Sequence, residues 1–293
     1  MSVPDAPGWV ASDRQRERER FRRARARRST LVALTSTVAL TAVIVLGVRS
    51  SPGWPRVRQS FFNPQVALDS LPDVLAGLWL NVRVMVVCAV LIVVLALALA
   101  LARSLRGPAF FPLRALAAGY VDLFRGLPLI LVLLLVGFGL PGLRLQGIPT
   151  SAVTLGALAL VLSYSAYVAE VFRAGIEGVH PSQVAAARSL GLTRGQTMAH
   201  AVLPQAVRRV VPALLNDLIS LSKDSGLISI LGAVDAVRAA QIQTAEHANF
   251  TPYVVAGVLF VLLTVPLSRV TDALAKRSGW LAAQGALTAG TVR

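Results

Sequence analysis

The chain has 293 residues, of which 55% are hydrophobic and only 15% are charged, and its mean hydropathy is +0.66. This composition excludes an ordinary soluble domain. The net charge of +15 would suit nucleic acid, but the basic residues flank apolar runs and do not form one basic face, so we expect no nucleic-acid partner. The sequence therefore predicts an all-α integral membrane protein.

The N-terminal part of the chain divides into three segments. Residues 1–28 form a basic arm with nine arginines, which we expect to be disordered or transiently helical against the lipid headgroups of the cytoplasmic side. Residues 29–48 are uncharged, are long enough to cross a bilayer and lack a small-residue cleavage site, so they are interpreted as a retained transmembrane helix. Residues 49–76 are interpreted as an extracytoplasmic connector.

Apolar runs along the chain predict six membrane spans. They lie at about 29–48, 79–102, 113–140, 150–172, 207–234 and 249–268. The third and fifth runs are the weakest, because they contain charged residues: Asp122, Arg125, Asp217, Lys223 and Asp224. Pro128 and Pro266 are expected to kink the helices that contain them. Cys88 lies inside the second run and is interpreted as a packed apolar side chain.

The distribution of lysine and arginine predicts the orientation of these spans. With a cytoplasmic N-terminus, 22 of the 29 basic residues fall in cytoplasmic segments and five fall in extracytoplasmic ones. Positive charge is enriched on the cytoplasmic side of membrane proteins. We therefore expect both termini, including a tail at 276–293, to be cytoplasmic.

Residues 173–206 form the one sizeable cytoplasmic loop, and its first half predicts a short helix. Ser182 suits an N-cap, the residues that follow favour helix, and Gly191 can adopt the left-handed conformation that ends it.

The second half of the loop predicts another helix. Thr193 and Gln196 have the spacing of a capping box, and Pro204 is expected to break this helix. The result is a helix–glycine–helix elbow. On residue chemistry alone, two interpretations of it are equally supported: an ordinary connection between spans, or a surface of small residues on which a partner docks.

The loop resembles the EAA loop of binding-protein-dependent ABC permeases. The residues that match its pattern are Ala186, Ala187, Gly191, Leu203 and Pro204. Further residues resemble the subfamily that imports polar amino acids such as histidine, glutamine, glutamate and arginine: Gln183, Ser189, Leu190, Gln205, Ala206, Arg208, Pro212, Asn216, Lys223, Asp224 and Leu227. Segments 120–141 and 165–176 resemble the same subfamily, and the resemblance covers residues 77–275.

This resemblance implies a type I ABC importer permease, with a five-helix core over 77–275 and one additional N-terminal helix. Such a chain would translocate a polar amino acid, pair with a second permease subunit and receive substrate from an extracytoplasmic binding protein. ATPase subunits would dock on the coupling loop 173–206 and would carry the ATP and magnesium, so no cofactor is expected on this chain. Ala185 stands where the family has glutamate, which would complete a capping box with Ser182.

Charged and polar residues inside the spans are candidates for function. Lys223 and Asp224 are adjacent, so they point in different directions on a helix. Two interpretations of Lys223, Asp224 and Asn216 are open. They line the translocation pathway or its gate, or they hold helices together through hydrogen bonds. Glu170 with Arg173, and Asp122 with Arg125, have the i, i+3 spacing of structural bridges or of pairs that relay motion.

The sequence fits two other classes of function less well. A self-sufficient secondary transporter or channel usually contains inverted repeats, and the sequence has no repeat. An enzyme is disfavoured because the sequence contains no H-E-x-x-H, G-x-S-x-G or P-loop motif, and its three histidines are scattered, which also gives no metal site.

Overall fold

The computed structural model of the protein describes residues 13–277 apart from 106, 145 and 148. The chain falls into two compact units, Met1–Gln59 and Ser60–Arg293. The predicted tail at 276–293 lies outside the described residues from position 278 onward.

The first unit contains one long helix. Helix α1, Asp13–Arg49, has 37 residues, and its described side chains are all exposed. Its Arg28–Arg49 part is long and apolar enough to cross a membrane, which agrees with the span predicted at 29–48. The arm was expected to be disordered or transiently helical, and its described part is helical from Asp13 onward. Helix α2, Trp54–Phe61, follows.

The described part of the second unit is built from helices. They are α3 (Pro64–Ser104), α4 (Phe111–Gly126), α5 (Leu129–Gly142), α6 (Ala152–Glu177), α7 (Pro181–Ser189), α8 (Arg194–Thr197), α9 (Leu203–Asp224), α10 (Ala236–His247) and α11 (Thr251–Arg277). Asn63 caps α3 by accepting hydrogen bonds from the backbone N–H groups of Gln65 and Val66. Residues 64–76, interpreted as connector, are thus the first turns of a 41-residue helix.

The core of this unit forms where α3 and α6 pack together. Cys88 and Leu160 are fully buried there with Ile228, and the Cys88 thiol lies 3.6 Å from the Ala157 carbonyl oxygen. Cys88 is therefore packed in the core, as predicted. Gly156 allows close approach, because a Cβ at that position would overlap the side chain of Ile228.

Four helices are long and apolar enough to cross a membrane, and six spans result if each of two bent helix pairs counts as one. The third span was expected to be one kinked helix, but α4 and α5 meet at 108°. The larger bend arises because Leu127, which precedes Pro128, is extended and ends the helix.

The fifth span is also broken. A short 3₁₀ segment, Ser225–Leu231, follows α9, and Gly232 then turns the chain with a φ of +92°. The chain resumes as α10 after a bend of 52°. By contrast, α11 runs through Pro266 as a single helix.

Candidate functional site

Helix α7 lies in the predicted coupling loop, and it starts two residues earlier than expected. Its N-cap is His180, whose Nδ1 accepts a hydrogen bond from the backbone N–H of Ser182 at 3.2 Å. Pro181 occupies the first helical position, where its fixed φ and missing N–H suit helix initiation. The prediction of Ser182 as N-cap is therefore wrong. The third helical residue is Gln183, so position 185 cannot complete a capping box with Ser182.

Gly191 makes the turn between α7 and α8. Its φ is +83°, and no heavy atom lies within 4 Å of the place where a Cβ would stand. Thr193 and Gln196 form the predicted capping box: the Thr193 N–H donates to Gln196 Oε1 at 2.9 Å, and the Gln196 N–H donates to Thr193 Oγ1 at 3.3 Å. We call residues 181–197 the elbow. Its predicted helix–glycine–helix form is confirmed.

Pro204 does not break the second helix, which corrects the prediction. A π-helical turn, Met198–Val202, joins α8 to α9, and the Leu203 N–H donates to the Met198 carbonyl. Pro204 then occupies the first turn of α9, directly after this π-helical turn, and the helix continues through it.

The loop residues singled out by the sequence are mostly exposed. Those with exposed side chains are Gln183, Ala185, Ala186, Ser189, Leu190, Leu203 and Pro204. Leu190 is 82% exposed although it is apolar, whereas Ala187 is buried. The elbow thus presents small side chains and one exposed leucine outward, which is the kind of surface that a partner covers.

A cluster of charged residues lies just before the elbow, around Glu170 of α6. Arg173 Nε donates to both Glu170 carboxylate oxygens at 3.0 and 3.1 Å, and Arg103 Nη1 of α3 donates to Oε2 at 3.1 Å. Arg125 of α4 lies 3.9 Å from the same oxygen, and Arg173 also pairs with Glu177. One carboxylate therefore joins the ends of three helices at the point where α6 leads into the elbow.

The pair predicted between Asp122 and Arg125 is wrong. Asp122 is exposed and makes no ion pair within the described ranges, because Arg125 reaches across to Glu170 instead. A half-buried carboxylate attracts a cation more strongly than a solvated one, since screening by water is weaker. Arg103 was not predicted as a site residue, although it is the first charge after a long uncharged run, which was the available signal.

The three candidate pathway residues of α9 separate into two groups. Asp224 is half-buried and accepts a hydrogen bond from the Tyr164 hydroxyl of α6 at 2.6 Å. Asn216 and Lys223 are exposed. They lie on one face of α9, because they are two helical turns apart. Neither has a hydrogen bond or ion pair to another described residue.

Asp217 was passed over as a site residue, and it lies on another face of α9. With Tyr164 it lines a cavity of about 50 Å³ between α3, α6 and α9. Its Oδ2 atom is buried and accepts no hydrogen bond from the part of the chain that is described. Asp217 could have been predicted as a site residue, because a charged side chain inside a membrane span usually has a function.

A buried polar junction lies far from the elbow along α3. Asn81 Nδ2 donates to Asp235 Oδ2 at 3.0 Å, and Asn81 Oδ1 accepts from the Ala236 N–H at 3.1 Å. Asp235 Oδ1 caps α10 by accepting from the Arg238 N–H at 2.9 Å. Asn81 and Asp235 are both fully buried, and a Cβ at Gly77 would overlap the Asp235 backbone. The junction therefore fixes α10 against α3.

Metal binding has no support in the described residues, where no group of three or more His, Cys, Asp or Glu side chains could hold an ion.

The part of the chain that contains the elbow and most of the charged cluster's helices matches a known family of membrane proteins. Residues 92–279 match the family model of the binding-protein-dependent transport system inner membrane component. The chain belongs to this family of ABC transporter permeases. It is thus a multi-pass membrane protein that acts as a transporter permease subunit and not as an enzyme, and a self-sufficient transporter or channel is not favoured.

Individual relatives cover most of the second unit. The chain is 33% identical over 211 residues to the arginine transport system permease protein ArtQ of Bacillus subtilis, covering 72% of this chain and 94% of the relative. It is 37% identical over 176 residues to the probable glutamine ABC transporter permease protein GlnM of the same organism, covering 59% and 79%.

Two solved structures share the fold. An amino acid ABC transporter crystallised with histidines has a TM-score of 0.67 and 33% identity, covering 72% of this chain and 96% of that one. The inward-facing MetNI methionine ABC transporter has a TM-score of 0.56 and 20% identity, which supports the fold alone. The expected type I importer permease fold is confirmed.

Proposed function

We propose that the chain pairs with a second permease subunit, identical or related, and that the two form the pathway through which a polar amino acid enters the cytoplasm. The relatives named above transport arginine, glutamine or amino acids in general. A transporter of this family takes its energy from ATPase subunits, so the chain itself would bind neither ATP nor magnesium. An extracytoplasmic binding protein would deliver the substrate.

The elbow is the observation that supports this proposal most strongly. It is a rigid turn whose geometry depends on the positive φ of Gly191 and on the Thr193–Gln196 capping box. It exposes alanines and Leu190 to solvent. Small side chains allow the groove of an ATPase to approach the backbone closely, and Leu190 would fill an apolar pocket there.

The charged cluster is placed to connect the elbow with the spans. Glu170 joins α6 to α3 and α4, and only seven residues separate it from the end of α6 at Glu177. We propose that movement of the elbow after ATP binding passes through α6 to these helices. Such coupling requires two discrete arrangements of packed elements, which the bent pairs α4–α5 and α9–α10 can supply.

Asn216 and Lys223 are proposed to face the substrate route. Both are exposed on one face of α9 and have no partner among the described residues. Polar groups in membrane spans usually face water or another protein surface, and a lysine can pair with the carboxylate of an amino acid. Asp224 is proposed to position Tyr164 beside the route and not to contact the substrate itself.

One cysteine experiment tests both the orientation and the docking site. In a Cys88→Ala background, single cysteines are placed by Ser51→Cys and Ala185→Cys, both at exposed positions. We expect a membrane-impermeant maleimide to label intact cells at position 51 only. A photoreactive probe attached at position 185 should capture the ATPase in the complete transporter, and the same probe at position 51 should not. Labelling of position 185 from outside, or equal capture from both positions, would refute the proposal.

A further inference from the structure

Two arginines of α3 mark the thickness of the membrane. Residues 84–102, between Arg83 and Arg103, carry no charge. At 1.5 Å per residue this stretch is about 28 Å long, close to the hydrocarbon thickness of a bilayer. Because Arg103 contacts Glu170 at the elbow end, Arg83 falls about one bilayer thickness away along α3, where the opposite headgroups are expected. Trp79, one turn before Arg83, is 61% exposed, which is typical of an interfacial tryptophan.

An apolar groove runs along α3 and α6 beside Arg83. Its volume is about 510 Å³, within the range of binding pockets for small molecules. Apart from Arg83, its walls are largely aliphatic and include Val84, Val87, Leu91, Val153, Ala157 and Val161. Val87 and Leu91 are 56% and 49% exposed, so the groove opens toward the surroundings and not into the core.

Arg83 differs from Arg103 in having no partner among the residues that the structure describes. Arg103 donates to Glu170, whereas Arg83 makes no hydrogen bond or ion pair with any described residue. The one other polar side chain of the groove is the hydroxyl of Thr154. The groove therefore combines one unpaired cation at headgroup depth with an aliphatic channel that extends into the hydrocarbon region.

We propose that this groove binds one anionic phospholipid. The lipid phosphate pairs with Arg83, and one acyl chain lies between α3 and α6. A guanidinium group suits a phosphate because it can donate two parallel hydrogen bonds to it. A lipid supplies the anion and the flexible aliphatic chain in one molecule, at the depths where the groove requires them. A protein segment would need an acidic residue at the same depth and an apolar helix below it.

The experiment measures lipid retained by the purified complete transporter. Mass spectrometry quantifies phosphatidylglycerol and phosphatidylcholine of identical acyl chains after both are supplied in equal amounts. We expect the parent to retain phosphatidylglycerol preferentially, and Arg83→Gln to lower its retention by about fivefold, the effect of one arginine at a charged membrane surface. Arg83→Lys should keep part of the preference.

Two further variants make the test specific. Arg144→Gln removes another exposed arginine that does not line the groove and should leave retention unchanged. Val87→Trp adds bulk to the exposed groove wall and should lower retention although Arg83 remains. Equal retention by the Arg83→Gln and Arg144→Gln variants would overturn the proposal, as would equal retention of the two lipids by the parent. A disulfide from Val87→Cys to a second permease subunit would also overturn it, because protein would then cover the groove.

Discussion

The elbow and the Asn81–Asp235 junction use polar groups in opposite ways. At the junction, the fully buried side chains of Asn81 and Asp235 bond to each other and to backbone N–H groups at the start of α10. At the elbow, the hydrogen bonds are exposed and local in sequence, and a methyl group added at Gly191 would meet no neighbour within 4 Å. The first arrangement holds two helices of one chain together. The second leaves a surface free for another protein.

The comparison teaches that burial decides what a polar contact contributes. A buried group that loses its partner carries the full cost of desolvation, whereas an exposed group exchanges its partner for water. Mutations at the junction should therefore damage folding, and mutations at the elbow should damage assembly. The cluster around Glu170, whose side chain is 21% exposed, should behave in an intermediate way.

The largest effect is expected at the junction. Asn81→Leu removes the hydrogen bonds that Asn81 makes to Asp235 Oδ2 and to the Ala236 N–H at a fully buried site. We expect the free energy of unfolding to fall by about 2–4 kcal/mol. Unfolding in mixed detergent micelles measures this change.

Gln243→Ala is the matched control for the junction. It removes the exposed hydrogen bond between Gln243 and Asp73, which joins the same two helices, and should cost less than about 1 kcal/mol. Equal losses for the two variants would show that burial does not separate these contacts.

A smaller effect is expected at the charged cluster. Glu170→Gln leaves Arg103 and Arg125 near Arg173 without a shared carboxylate. We expect a loss of about 1 kcal/mol, reduced by the partial exposure of the site, and a smaller loss in high salt. Uptake per ATP hydrolysed should fall as well, because α6 is no longer held to α3 and α4.

Glu177→Gln is the control for this cluster, since Glu177 pairs with Arg173 alone among the described residues and is 62% exposed. It should change stability and coupling less than Glu170→Gln does. If Glu177→Gln changed stability and coupling more than Glu170→Gln, the proposed role of Glu170 would be contradicted.

Local sequence patterns predicted the parts of the fold that depend on neighbouring residues. The span predicted at 150–172 corresponds to α6, Ala152–Glu177, because an uncharged run is a property of consecutive residues. The turn at Gly191 and the capping box at Thr193 and Gln196 were predicted for the same reason.

Contacts between distant parts of the chain could not be predicted in this way. Asn81 and Asp235 are 154 positions apart, and Arg103 and Glu170 are 67 apart. Hydrophobic periodicity indicates which face of a helix is buried but not which polar groups meet across helices. The N-cap was misplaced for a different reason, because Ser182 was favoured as a capping residue over a histidine that precedes Pro181.

The most direct test of the proposed function is Gly191→Val, which should impair assembly more than folding. A β-branched residue at a φ of +83° strains the turn by about 1–2 kcal/mol and re-aims α7, although its Cβ would meet no heavy atom within 4 Å. The decisive measurement is the amount of ATPase that co-purifies with the permease, together with amino acid uptake in proteoliposomes. Gly195→Val is the control, because Gly195 has equally open space and no positive φ. We predict that Gly191→Val inserts normally but loses about tenfold or more of its ATPase and its uptake, while Gly195→Val keeps both. Parental ATPase binding and uptake in the Gly191→Val protein would contradict the proposal and show that the elbow is only a connection between spans.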